Sequence, residues 1–196
     1  MTANFKNLKK IMFSTLSALL VMCMSIMPTY ANENSGDSYI SVPVNESEVW
    51  VFPTKDDYES YLEDIELQEN ESTVTPRIVT EHEVSRTTWY HKWVCYHWLT
   101  PSWTKASSYT ISAGSTVSGS VGATYGGINF TLSLSKTQGA TATLRANSSK
   151  YSKLSLSGDF LVKKMVRFYH DNSGVYDQYN YISYSTLNSY IDVTYQ

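Results

Sequence analysis

The stretch STVSGSVGATYGGINFTLSL, residues 115–134, decides the fold. Its first half carries apolar or small side chains at Val117, Gly119, Val121, Ala123 and Tyr125, with mostly Ser and Thr between them. Its second half moves the apolar set to Ile128, Phe130, Leu132 and Leu134. A two-residue period is that of a strand with one buried face. Between the halves stands Gly126-Gly127, a pair that accepts the positive φ angles of a two-residue type I′ turn. Such a loop sets Tyr125 opposite Ile128, Ala123 opposite Phe130 and Val121 opposite Leu132. Both strands then present their apolar side chains on one face, as a hairpin requires.

The same rhythm extends in both directions. Thr137-Gln138-Gly139 suits a three-residue loop with a glycine bulge, which predicts a second hairpin pairing Leu134 with Ala142, Leu132 with Leu144 and Phe130 with Ala146. Leu154, Leu156, Phe160, Val162, Val166 and Phe168 continue the apolar face on even positions. Asp171-Asn172-Ser173-Gly174 marks a further turn. Beyond it the tyrosine-rich tail is β-favouring, and Ile191, Val193 and Tyr195 share one side of a last strand. The expectation is an all-β protein, an antiparallel β-sandwich or twisted meander of about seven strands, with a short N-terminal helix in an acidic extension.

Three segments follow from composition. Residues 1–31 read as a secretory signal peptide: Lys6, Lys9 and Lys10, an apolar run from Ile11 to Met27, and small residues before a cut after Ala31. The mature product is expected to be secreted and soluble on release. Residues 32–77 hold twelve acids and two bases and form an acidic extension or pro-region, with Arg77 as a second candidate processing site. Within it Thr54 and Asp57 have capping-box spacing, and Tyr58, Tyr61, Leu62 and Ile65 share one face of a short helix. Residues 78–196 are a Ser/Thr- and Tyr-rich β domain with ten bases and six acids. A hydrophobic content of 42% excludes wholesale disorder, and two cysteines in 196 residues exclude a disulfide-framework miniprotein.

The functional signals are compositional. Residues 106–135 contain no charged side chain across thirty positions. A membrane hairpin needs one apolar face for lipid, one Ser/Thr face for a lumen and an uncharged tip. In these respects the segment around 115–136, with Val117, Val121, Tyr125, Gly126, Gly127, Ile128, Phe130, Leu132 and Leu134, resembles the insertion hairpins of aerolysin-type and haemolysin-type β-pore-forming toxins. The resemblance implies membrane insertion and, with it, an oligomer. An ordinary half-buried sheet alternates in the same way.

Trp89, Tyr90, Trp93, Tyr96, Trp98 and Trp103 crowd fifteen residues. Exposed rings suit stacking on sugars or a membrane interface. Lys163 and Arg167 share a strand parity and predict a positive wet face. His91, Cys95 and His97, on one strand face, lack the spacing and fourth ligand of a zinc site, so no metal or cofactor is expected. Cys95 with a nearby histidine is the sole catalytic constellation, and no oxyanion-hole motif accompanies it. The leading reading is a secreted, non-enzymatic protein that binds an anionic wall polymer, glycan or lipid surface through a basic and aromatic sheet face, without nucleic acid. The alternative is a membrane-active, toxin-like or bacteriocin-like effector inserting hairpin 115–136. A Cys95-dependent enzyme is the third.

Overall fold

In a computed structural model the described residues are 29–30, 39–45, 47–70, 78–171 and 174–196. Among the described residues the chain is mostly antiparallel β-structure with one helix. Its strands are β1 (Thr29–Tyr30), β2 (Ile40–Pro43), β3 (Glu48–Phe52), β4 (Ile78–Tyr96), β5 (Ser108–Ile111), β6 (Thr116–Tyr125), β7 (Ile128–Thr137), β8 (Ala142–Arg145), β9 (Ser152–Asp171) and β10 (Gly174–Tyr195). The helix, α1, spans Lys55–Asn70. Among the described residues there are ten strands, against an expectation of about seven, because short strands flank three long ones.

Those long strands form the frame. β9 and β10 make a hairpin running from Asp171↔Gly174 to Ser152↔Tyr195, and β4 pairs along the other edge of β9 from Ile78↔His170 to Tyr96↔Ser155. At about 3.3 Å per residue, strands of 19 to 22 residues extend roughly 60–70 Å. β3 pairs with β10 through Val51↔Ile182, and β2 and β1 follow outward, giving the six-stranded order β1-β2-β3-β10-β9-β4. The acidic stretch therefore contributes β2 and β3 to the sheet of the basic body, and β1, at the outer edge, falls within residues 1–31.

Side chains alternate between the two faces of this sheet, and each face carries its own core. On one face Val51, Leu154, Leu156, Phe160, Val162, Ile182 and Tyr184 pack against the hairpin β6–β7. On the other, Phe52, Tyr169, Tyr179 and Tyr181 pack against Tyr58 and Tyr61 of α1. The helix begins as its sequence dictates: Asp57 N donates to Thr54 Oγ1 at 3.0 Å. Its buried stripe differs from the expected one, since Leu62 is exposed while Asp64 is buried. Asp64 is drawn inward by Arg167, whose Nη2 lies 3.5 Å from Oδ2. Asp57 Oδ1 also accepts the Asn180 amide at 2.7 Å, fixing the start of α1 to β10.

The first predicted hairpin forms with the register expected, Tyr125↔Ile128, Ala123↔Phe130 and Val121↔Leu132. The second does not. β8 pairs with β5, through Tyr109↔Leu144 and Ile111↔Ala142, and leaves β7 without it. The physical reason lies in the ladder already begun. β5–β8 lies on the same count as β6–β7: one step back on one arm is one step forward on the other, from Tyr125↔Ile128 to Ser108↔Arg145. Pairing β8 with β5 continues the hairpin away from its tip and keeps every apolar residue on the core side.

Candidate functional site

The site is the hairpin 108–145 and the surface it covers. β6 and β7 have ten residues each and form a two-stranded sheet of their own, with no strand pairing to the six-stranded sheet among the described residues. Side chains hold the hairpin instead. Val117, Phe130, Leu132 and Leu134 are buried against the long strands, and Phe130 stacks near Trp89 and Tyr184. Tyr125 Oη donates to Ser85 Oγ at 3.0 Å, Tyr39 Oη and Thr131 Oγ1 lie 2.5 Å apart, and Lys136 Nζ donates to the Ser189 carbonyl. The opposite hairpin face, with Ser118, Ser120, Thr124, Asn129, Ser133 and Ser135, is exposed and carries no charge. A groove of about 390 Å³ separates β7 from β2 and β3, lined by Tyr39, Pro43, Val49, Thr131, Ser133 and Tyr184 among others.

Glycine permits two close approaches. A Cβ at Gly119 would stand 2.4 Å from Cys95 Sγ, and one at Gly158 would stand 2.8 Å from Leu134 Cδ2. The tip turn also requires it, with φ of 57° at Gly126 and 81° at Gly127. At the base, the Ser115 amide donates to the Ser112 carbonyl in a β-turn with Gly114 at φ 79°. This turn interrupts the ladder between β5–β8 and β6–β7. The four residues 112–115 face four residues 138–141, so the count is kept across the break. The alternation is kept too. Thr110 and Thr143 meet across the strands at 3.0 Å on one side of the neck, and Thr116 and Thr137 at 2.8 Å on the other.

No family model matches the chain, and neither the curated proteins nor the solved structures provide a match.

The aromatic residues divide between the faces. Trp89 turns inward against Phe130, and Trp98 is exposed at the hairpin neck, where its Nε1 donates to the Thr116 carbonyl at 3.0 Å. Trp93, Tyr96 and Trp103 form an edge-to-face row, with ring centroids 5.2 and 5.6 Å apart. Tyr90 is the most exposed of the six, at 76%. Lys163 and Arg167 are not beside this row. Lys163 Nζ lies 3.8 Å from Glu83, and Arg167 is half-hidden under α1 between Asp64, Glu81 and the Tyr179 hydroxyl. The basic residue at the aromatic row is Lys153, with Nζ 5.1 Å from the Tyr96 ring and 5.4 Å from Trp103.

The three residues with metal-binding or nucleophilic chemistry are separated. Bulges at Trp89/Lys92 and Trp93/Cys95 break the expected common face. Cys95 points under the hairpin, and burial raises its thiol pKa. His91 stacks on Tyr190 with ring centroids 4.1 Å apart. His97 is buried, its Nδ1 accepts the Leu99 amide at 3.1 Å, and burial lowers its pKa. Among the described residues no group of three or more His, Cys, Asp or Glu side chains is arranged to hold a metal ion. The candidate cut sites Ala31 and Arg77 lie outside the described residues.

Sequence reasoning missed Asp159. It is buried between two bulges, one in β4 at Trp89/Lys92 and one in β10 at Thr186/Asn188. Its Oδ1 accepts the His91 amide at 2.8 Å, and its Oδ2 accepts Tyr190 Oη at 2.6 Å and Asn188 Nδ2 at 3.1 Å. The Tyr190 hydroxyl foremost, then the His91 amide, hold this carboxyl below its ordinary range. His91 has φ 49°, a left-handed value for a non-glycine residue, and the Asp159 bond fixes it there. The only sequence signal was a lapse in the even-position rhythm at Gly158-Asp159.

Proposed function

We propose that the chain is a membrane-active, non-catalytic protein in which the hairpin 108–145 leaves the sheet and enters a bilayer as part of a β-barrel. The observation that carries this reading is the continuity of register and alternation through the neck. If the turn at 112–115 opens, β5–β8 and β6–β7 join into one hairpin with every rung of both ladders kept, and the Gln138 carbonyl changes partner, from the Gly114 amide to the Ser115 amide. One face would then carry Ser, Thr, Asn and Gly with a single charge, Arg145. The other would carry Tyr109, Ile111, Val117, Val121, Tyr125, Ile128, Phe130, Leu132, Leu134 and Leu144, with Lys136 and Gln138 at the neck.

The exchange is physically economical. The apolar face that now packs on β9 and β10 would pack on lipid, and the Ser/Thr face that now meets bulk water would meet water in a lumen. Ten residues in each of β6 and β7 suffice for a tilted membrane strand. A lone hairpin leaves two unpaired edges in hydrocarbon, so the inserted form requires several copies closing a barrel. Surface binding, the leading expectation from sequence, becomes the first step of this process.

Dye release from liposomes tests the reading. Val121→Asp and Leu132→Asp, in protein that retains its β-rich circular dichroism spectrum, are expected to abolish release. Release unchanged by both substitutions, or none from the parent protein at any concentration, would remove the proposal.

A further inference from the structure

Residues 84–158 contain no acidic side chain and seven basic ones. The fold gathers three of these, Lys105, Lys150 and Lys153, at the end where β9 starts and β10 finishes. Each ammonium sits over a ring: Lys105 over Tyr151 at 5.1 Å, Lys150 over Tyr195 at 6.0 Å, and Lys153 over Tyr96 and Trp103. Tyr151, Tyr195 and Tyr96 are 50%, 40% and 44% exposed. Among the described residues none of the three lysines has an acidic partner. Arg167, Arg86 and Lys163, by contrast, are matched to Asp64, Glu81 and Glu83 further along the sheet. The neck of the hairpin is at this same end: Tyr109 Oη of β5 donates to the Ser152 carbonyl at 2.8 Å, and the Asn147 amide donates to Tyr195 Oη at 3.0 Å.

We propose that this lysine-and-aromatic end docks on a membrane surface containing anionic lipid. The proposal deepens the hairpin reading and rests on it for its purpose, since docking here sets the neck of the hairpin against the bilayer it would enter. Two physical arguments select lipid over a sugar polymer. A ring face already beneath an ammonium is not open to stack on a sugar, whereas exposed tyrosines beside lysines are the usual composition of a lipid headgroup interface. The whole chain has a net charge of -3, so its overall charge is repelled by an anionic surface, and only a locally positive end brings it there.

Co-sedimentation of the purified protein with vesicles tests the proposal. The vesicles are phosphatidylcholine alone or phosphatidylcholine mixed with phosphatidylglycerol. The parent protein is expected to bind the mixed vesicles, and to lose binding as salt rises. At about fivefold per lysine, combining Lys105→Gln, Lys150→Gln and Lys153→Gln is expected to weaken this binding by about a hundredfold. A control with the same change in net charge, Lys55→Gln, Lys92→Gln and Lys164→Gln, is expected to bind as the parent does. Equal binding to neutral vesicles, equal loss in the control, or capture by insoluble wall polymer with none by mixed vesicles would overturn docking. The two proposals fail separately. Charge-dependent sedimentation without dye release leaves docking and removes insertion. Dye release that is equal from neutral vesicles leaves insertion and removes docking.

Discussion

Gly119 on β6 and Cys95 on β4 approach so closely that a Cβ on the glycine would stand 2.8 Å from the cysteine Cβ and 2.4 Å from its Sγ. Among the described residues this is the tightest contact between the hairpin and the sheet at a glycine, and it sits in the half of β6 nearer the neck.

Gly119→Cys should therefore form a disulfide with Cys95. The Cβ separation in a disulfide is about 3.5–4.5 Å, so the two strands need to part by about an ångström. The oxidised protein is expected to keep its fold and release no dye from liposomes, and reduction should restore release. Leakage that is equal in the oxidised and reduced forms, with the crosslink verified by mass, would show that β6–β7 does not leave the sheet.

Asp64 and Arg167 predict how α1 is held. Both are largely buried, and Tyr61 and Tyr179 beside them have hydroxyls whose pKa burial raises. Asp64→Ala leaves the guanidinium with Glu81 and Tyr179 alone, and is expected to destabilise the protein by about 3 kcal/mol, the lower end for breaking a buried pair. Combining Asp64→Leu with Arg167→Met should recover most of that loss. Urea unfolding measures both. A cost near zero for Asp64→Ala would mean that α1 is held by its tyrosines without the ion pair.

Local chemistry explains which parts of this fold were legible. The tip Tyr125-Gly126-Gly127-Ile128 and the cap Thr54–Asp57 depend on residues two or three apart, and both formed as the sequence dictates. The pairing of β8 was not legible. Thr137-Gln138-Gly139 offers a plausible turn, and both partners for Leu144 satisfy the same alternation; only packing against β9 and β10 decides between them. Parity placed Lys163 and Arg167 on one face but could not show that α1 covers part of it. The bulges flanking Asp159 read as noise in a periodic pattern, because a bulge shifts the parity that defines the signal. The hairpin was therefore visible as a candidate, while its tucked position and the lysine end beside its neck required the fold.

Asp159 gives a pH dependence. Its folded pKa lies below the unfolded value of about 3.9, so its hydrogen bonds stabilise the protein above that value. The contribution is lost as pH falls from about 4 through the lower, folded pKa. Asp159→Asn keeps the shape but removes the charge that Tyr190 and the His91 amide stabilise. The variant is expected to melt at a lower temperature than the parent at neutral pH, with the gap narrowing below about pH 4. A gap independent of pH would assign the loss to packing and hydrogen-bond geometry, with no part for the charge.

Gly114 separates the tucked hairpin from the joined one. Its φ of 79° belongs to the turn that interrupts the ladder, and a Cβ there would meet nothing within 4 Å. Gly114→Val thus introduces no clash, but a left-handed conformation costs an L-residue about 1–2 kcal/mol, with a β-branched side chain at the upper end. In a continuous ladder the same position is extended, where valine is favoured over glycine. The substitution destabilises only the interrupted form, and is expected to raise the rate of dye release by about 5- to 30-fold. A reciprocal control is Gly122→Val, which lies in β6 without a positive φ and with open space around its Cβ, and should not accelerate release. If Gly114→Val slows release, or matches Gly122→Val, then the turn at 112–115 stays closed during insertion and only β6–β7 crosses the membrane.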